Sequence, residues 1–377
     1  MQRLQNRLLL AAFSLRRRLL CTTTAGAASP PARFVAESYL VSNCGLTPSQ
    51  ALKASKLLSH LQTADGPDAV RAFLAGLNLS KADVAATVVR NPRFLCCSVE
   101  ESLAPRVAEL RGIGLSTPEI ARLVPLAPYA FVKPAYVSRI AFFMSFFGSF
   151  NKLQSAIRRD VHLLHRNLET VVEPKIAMLR KCSLAVRDIA HVICHAPRLF
   201  SGSEERLKAV IACAEALGVP QGSRMFRYAL VVAYCVGRES ANAKIELLKS
   251  LGWSSAQVAM AVAKMPCLLT GSEDRMRRAV DFLTKEAGME VDAIVRGPSL
   301  LKFNLERRLV PRLKVLKLLK ENGFQRLGNR SFYAVACMSS DKFFDTFVRP
   351  QAMIFPPGLV DACDPAHAGK ALAGAAS

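Results

Sequence analysis

Apolar residues recur along this chain at helical rather than alternating spacing. Ile176 and Leu179, then Ile189, Val192 and Ile193, fall three or four apart and predict pairs of amphipathic helices. Helix starts are marked at Ser116-Thr117-Pro118-Glu119 and Ser254-Ser255-Ala256-Gln257, each a hydroxyl N-cap with Glu or Gln three residues on. Gly114, Gly218, Gly252, Gly288 and Gly323 stand where a helix end needs a left-handed cap. No strand pattern of useful length appears.

The pattern repeats. A proline followed by an apolar cluster occurs at Pro92, Pro128, Pro197, Pro266 and Pro298. Two of the four intervals, Pro128 to Pro197 and Pro197 to Pro266, are twice the length of the others. Each holds a proline-less copy, at 160–164 and 233–236. Those copies are expected to be looser, or to be where the array bends. The proline ends the second helix or caps a short turn, since it lacks an N–H and restrains the residue before it. A second register agrees: Arg106, Arg139, Lys175, Lys208, Lys244, Arg278 and Arg312 recur once per period. Arg71, one further period upstream, marks a less regular eighth copy. The expected fold is all-α: a right- or left-handed solenoid of about seven to eight repeats of ~34 residues, with neighbours burying each other's apolar faces.

Composition adds three constraints. With 51% apolar residues in 377, the chain can bury a sizeable core and is too hydrophobic for extended disorder. Its longest apolar runs, 140–148 and 228–237, are about half of the ~20 residues a spanning helix needs, so no membrane insertion is expected. The eleven cysteines are odd in number, irregularly spaced and without Cys-x-x-Cys, which suits a reducing compartment better than a disulfide framework.

The segment 1–33 reads as an organelle transit peptide. It holds Arg3, Arg7, Arg16, Arg17, Arg18 and Arg33, several hydroxyls and no acid before Glu37. A basic arm touching nucleic acid is the competing reading, while Arg16-Arg17-Arg18 interrupts any secretory signal. A mitochondrial destination is expected, with the chloroplast as the alternative. The full chain carries a net charge of +22. The excess persists beyond Arg33.

The combined motifs resemble the mitochondrial transcription termination factor (mTERF) family, plant organellar type. They are the Pro-x-Leu-Leu element, the basic-apolar-x-x-apolar element and the terminal Leu-Gly, with Tyr39-Leu40-Val41-Ser42-Asn43-Cys44-Gly45-Leu46 at the opening. At the close stand Pro311-Arg312-Leu313-Lys314-Val315-Leu316 and Met338-Ser339-Ser340-Asp341-Lys342-Phe343-Phe344. The tetratricopeptide signature is absent, the only Trp being Trp253. The resemblance implies stacked repeats of two α-helices and a 3-10 turn at the proline, cradling nucleic acid on a concave basic face. It also implies a role in organelle gene expression: transcription regulation including termination, or RNA splicing and ribosome maturation. The domain layout that follows is a transit peptide at 1–33, a repeat array at 34–350 and a disordered tail at 351–377.

Candidate chemistry is electrostatic. The expected nucleic-acid contacts are the register Arg106, Arg139, Lys175, Lys208, Lys244, Arg278 and Arg312, with Lys314 and Lys317 in the most cationic repeat and Arg158 and Arg159 in a proline-less one. Helices packed about 8–10 Å apart would present one cation per repeat at regular pitch to a phosphate backbone. The competing reading is that a repeated cation bridges to a neighbouring carboxylate or carbonyl as structural glue. A cation in a first helical turn opposes the helix dipole and needs a partner, phosphate being one candidate. Tyr129, Phe131 and Tyr234 are candidates for base stacking, although most phenylalanines sit at core spacing. His191 and His195, four apart beside Cys194, lack a third ligand at diagnostic spacing and read as structural. With no phosphate loop, nucleophile elbow or carboxylate pair, no enzyme, metal or cofactor is expected. The expected partners of this monomer are double-stranded DNA or RNA and organellar proteins. A protein-binding helical scaffold is the alternative function.

Overall fold

The computed structural model describes residues 34–366. The expected transit peptide lies outside the described residues. The chain divides into two compact units at Val99, and no strand occurs among the described residues.

The first unit holds the helices Ala36–Cys44, Pro48–Ser55, Asp65–Gly76 and Lys81–Arg90, then a 3-10 turn Pro92–Cys96. Thr47 with Gln50, and Ser80 with Asp83, form capping boxes that start two of these helices. Arg71, in the eighth copy of the register, pairs with Asp68 at 3.0 Å, and Asp68 also accepts from the Tyr39 hydroxyl at 2.7 Å.

The second unit is a run of repeats, at 100–131, 135–165, 168–201, 204–236, 238–270, 273–302 and 305–337. Like elements of successive repeats pack side by side: Phe150–Arg159 on Val186–His195, that helix on Phe226–Val236, and Arg238–Ser250 on Glu273–Asp281. Ser116 with Glu119, and Ser254 with Gln257, form the expected capping boxes. All five register glycines have positive φ, from 61° to 95°. Pro105, Pro174 and Pro311 begin α-helical segments, and the turn before each widens to a π turn. Proline cannot donate to the carbonyl four residues back and its ring crowds that carbonyl; the wider turn relieves both.

The recurrent proline opens a short helical turn whose two apolar residues plug the core. Phe94 with Leu95, Leu199 with Phe200, Leu268 with Leu269 and Leu300 with Leu301 are at most 4% exposed. The residue before the proline lies outside the helical region every time, with φ between −128° and −152° and ψ between 55° and 86° at Asn91, Ala127, Ala196, Met265 and Gly297.

The two proline-less copies differ from each other. Val161 takes the proline position in one, and the 3-10 turn Val161–His165 forms all the same. Asp160 supplies the lost rigidity by accepting from the His162 N–H at 3.1 Å, and its other oxygen accepts from Ser201 Oγ in the next repeat. That copy is built like its neighbours rather than loosened. In the other, Phe226–Val236 runs on as one helix with no turn after it, and Gly237 leads directly into Arg238–Ser250. Gly237 sits at φ 75° and ψ 165°, a backbone region essentially reserved for glycine.

The expectation of a disordered tail from Gln351 onward is corrected for 351–366. Arg349–Ile354 forms a 3-10 segment and Pro357–Cys363 a helix. Phe355 and Cys363 join Val315, Leu316, Leu319, Phe343 and Phe347 in a closing core. An array's last repeat otherwise exposes an apolar face, so a terminal cap is a physical requirement. Residues 367–377 lie outside the described residues.

Candidate nucleic-acid interface

The seven register cations all lie within the first helix of their repeats, yet the structure turns four of them inward. Lys175 is 3% exposed, and its Nζ donates to the carbonyls of Phe200, at 3.0 Å, and Gly202, at 2.5 Å. Lys244, 8% exposed, donates to the Leu269 carbonyl at 2.8 Å. Arg139, half-buried over the Tyr136 ring, donates to the Leu164 carbonyl at 2.8 Å. Arg312, 4% exposed, reaches the carbonyls of Val335, Ala336 and Met338 at 2.7–3.1 Å. In three of these four the acceptor lies 25 residues downstream, within the 3-10 or short helical turn that closes the same repeat.

The expectation of a row of free cations is therefore corrected for these four. The carbonyls at the end of a short helix have no intrahelical donor and carry its negative dipole end, so a cation is the fitting cap. For Lys175 and Arg312, each next to the proline that opens its α-helical segment, this supplies the partner that a cation early in a helix requires. Burial lowers the Lys175 pKa, with Arg166 adding to it, and burial with Arg308 nearby lowers Arg312 to about 10.

The remaining three are paired with carboxylates. Arg106 pairs with Glu109 at 2.5 Å, Lys208 with Glu204 at 2.7 Å, and Arg278 with Glu306 of the next repeat. In the repeat of Arg278, carbonyl capping passes to Arg275, which donates to Lys302 and Phe303. Lys208 and Arg278 are exposed, and surface pairs of this kind contribute about 0–1 kcal/mol. Phosphate can compete for them at little cost.

Among the other sequence candidates, Arg158 and Arg159 are exposed at the end of Phe150–Arg159. Lys314 and Lys317 are exposed and line a groove of about 600 Å³ against the C-terminal helix, shared with Glu306 and Glu321. Phe131 is buried in the core. Tyr129 packs edge-on to His165 at 5.5 Å, and Tyr234 lies beneath the Arg206 guanidinium.

A larger groove, of about 840 Å³, lies where the repeats 135–165, 168–201 and 204–236 meet. Lys152, Arg159, Arg187 and Arg227 line it, and no Asp or Glu does. Arg227 is anchored by Asp188 at 2.6 Å and lies over the Tyr228 ring. Arg159 uses Nη1 on the carbonyls of Ser155 and Cys194. Within the groove, His191 lies between two rings: His195 at 4.1 Å and Tyr228 at 4.8 Å. Burial pulls His191 down to about 4, with His195 and Arg227 adding to the shift, so its imidazole is neutral at physiological pH. The Nδ1–H of His195 donates to the His191 carbonyl at 2.8 Å. Among the described residues no group of three or more His, Cys, Asp or Glu could hold a metal ion. No helix among them is long and apolar enough to cross a membrane.

The mTERF family model matches residues 68–344, from the eighth-copy repeat to the end of the array. The chain belongs to the mTERF family. Its match to Transcription termination factor MTERF8, chloroplastic, of Arabidopsis thaliana is 20% identical over 261 residues, 68% of this chain and 51% of that relative. The chain thus spans about half the length of the curated relative it matches.

Lys152, Arg187 and Arg227 escape sequence reasoning because they never form a register. Lys152 and Arg187 are one period apart, but Arg227 lies further on. The helix bearing Lys152 follows a short link at 148–149, whereas the longer segment 217–225 precedes the helix bearing Arg227. A periodic search finds what the fold repeats, and in this mTERF protein the basic register marks a carbonyl cap in four of seven repeats.

Proposed function

We propose that this mTERF protein binds nucleic acid, double-stranded DNA or RNA, as an organellar factor that regulates transcription, termination included. The observation that carries the reading is the groove at 145–227, where four cations and no carboxylate line a cleft in a strongly basic chain. A polyanion is the complementary ligand, because each phosphate neutralised releases condensed counterions. Arg158, Lys208 and Arg278 add exposed charge on the same unit, and the displaceable pairs of Lys208 and Arg278 suit backbone rather than base contacts. The chloroplastic relative and the Arg-rich, acid-free segment 1–33 favour action inside an organelle. The architecture supports a binding protein rather than an enzyme.

The test is affinity for duplex DNA and structured RNA as a function of salt. Log K is expected to fall linearly with log salt, by roughly 0.9 per phosphate contacted on duplex DNA. Absence of binding to both at low ionic strength would overturn the reading. Fluorescent tagging of the full chain in plant cells reads the organelle.

A further inference from the structure

We propose that the groove between the helices Ala135–Phe147, Phe150–Arg159 and Val186–His195 holds one unpaired strand of nucleic acid, its bases against the His191–His195 imidazole pair and its phosphates on the rim cations. This rests on the nucleic-acid reading above and narrows it to a class of ligand.

The argument starts from the rings. His191 stands 4.1 Å from His195 with the two rings tilted by 34°, Tyr228 meets His191 edge-on at 4.8 Å, and His195 is the exposed member of the group. The exposed His195 imidazole is a flat ring on which a base can stack. Phe146, half-buried, and Val186, exposed, add apolar lining beside it. In a duplex, each base has both faces covered by stacked neighbours and one edge occupied by its partner. An unpaired strand can turn its bases outward, and recognition of single strands combines ring stacking with a cationic track for the backbone.

The cations are placed for that track. Arg187 is exposed, and no carboxylate lines the groove to compete for it. Arg227 is fixed in the wall rather than free for a ligand, its Nη1 donating to Asp188, its Nη2 to the Tyr228 hydroxyl and its Nε buried. Lys152 gives one contact to the Phe147 carbonyl at 3.3 Å and keeps its other donors for a ligand. The neutrality of His191 keeps its ring a π surface behind His195. The contrast is the C-terminal groove, where Glu306 and Glu321 sit with Lys314 and Lys317 and offset their charge.

The experiment measures fluorescence anisotropy with the full chain and labelled oligo-uridylate, oligo-thymidylate and a mixed-sequence duplex of the same length. Either single strand is expected to bind more tightly than the duplex. His195→Ala is expected to weaken single-strand binding about tenfold, the scale of one lost stacking contact, with little change for duplex. Arg187→Glu is expected to lower single-strand affinity and reduce its salt slope by about 0.7. Both residues are exposed, and thermal melting of each variant verifies that the fold is retained. A duplex bound as tightly as the strands, or folded variants that leave strand binding unchanged, overturns the single-strand proposal and leaves the nucleic-acid reading standing. Failure of all three probes to bind at low salt overturns both.

Discussion

The ammonium of Lys175 closes its own repeat by donating to the Phe200 carbonyl, 25 residues downstream, at 3.0 Å. Arg139 with Leu164 and Lys244 with Leu269 repeat this relationship at the same separation. A basic residue recurring once per repeat is thus explained chiefly by helix-end chemistry.

Replacing Lys175 with Met keeps the aliphatic stem but leaves the Phe200 and Gly202 carbonyls without their donor. An unsatisfied buried polar group costs about 1–3 kcal/mol, and removing a desolvated charge offsets part of that. Urea denaturation is expected to show a net loss of about 1–2 kcal/mol, while nucleic-acid affinity stays unchanged. A large loss of affinity with stability intact would return Lys175 to the interface.

Val161→Pro tests whether the proline-less copy already has a proline-ready backbone. Asp160, before it, has φ −155° and ψ 100°, within the extended region that a following proline requires. The substitution is expected to stabilise the protein by about 0.4–1 kcal/mol, through a stiffer unfolded chain. A lowered melting temperature would show that Asp160 and proline are incompatible solutions to the same turn.

His191 makes stability depend on acidity. Its folded pKa of about 4 lies below the usual ~6.5, so between those values the unfolded chain binds more protons. Stability is therefore expected to fall as pH drops through ~6.5 towards about 4. His195 and Arg227 reinforce the shift and Asp188 opposes it. Comparing denaturation midpoints of wild type and His191→Phe isolates this contribution from that of the carboxylates, and the variant is expected to have the flatter profile.

Phe355→Ala tests the C-terminal cap. The ring is 5% exposed in the closing core, and deleting a buried phenylalanine costs about 3–5 kcal/mol. Limited proteolysis is expected to cut first near the altered cap, because repeat arrays open locally rather than as a whole.

Much of the fold is written in short-range signals. Ser116, Ser254, the prolines and the register glycines each act on their own few neighbours, so spacing alone locates helix ends and the repeat. The site is less legible for a physical reason. Lys175 and Lys208 hold the same sequence position, yet one is buried on carbonyls and the other exposed beside Glu204. That difference arises in the tertiary packing of each repeat, which a register cannot see. The order of the tail is hidden in the sequence because Phe355 and Cys363 lie beyond the periodic motifs and gain their meaning only from the exposed end they cover.

Two side-chain links tie three consecutive repeats together around the large groove: Asp160 to Ser201 and Asp188 to Arg227. They rivet the walls before any ligand arrives. A strand entering there meets a surface already set, so the conformational cost of association falls on the strand alone. Discrimination among bound sequences would then track the ease with which each relinquishes its own base stacking, with flexible pyrimidine runs held more tightly than stiff purine ones.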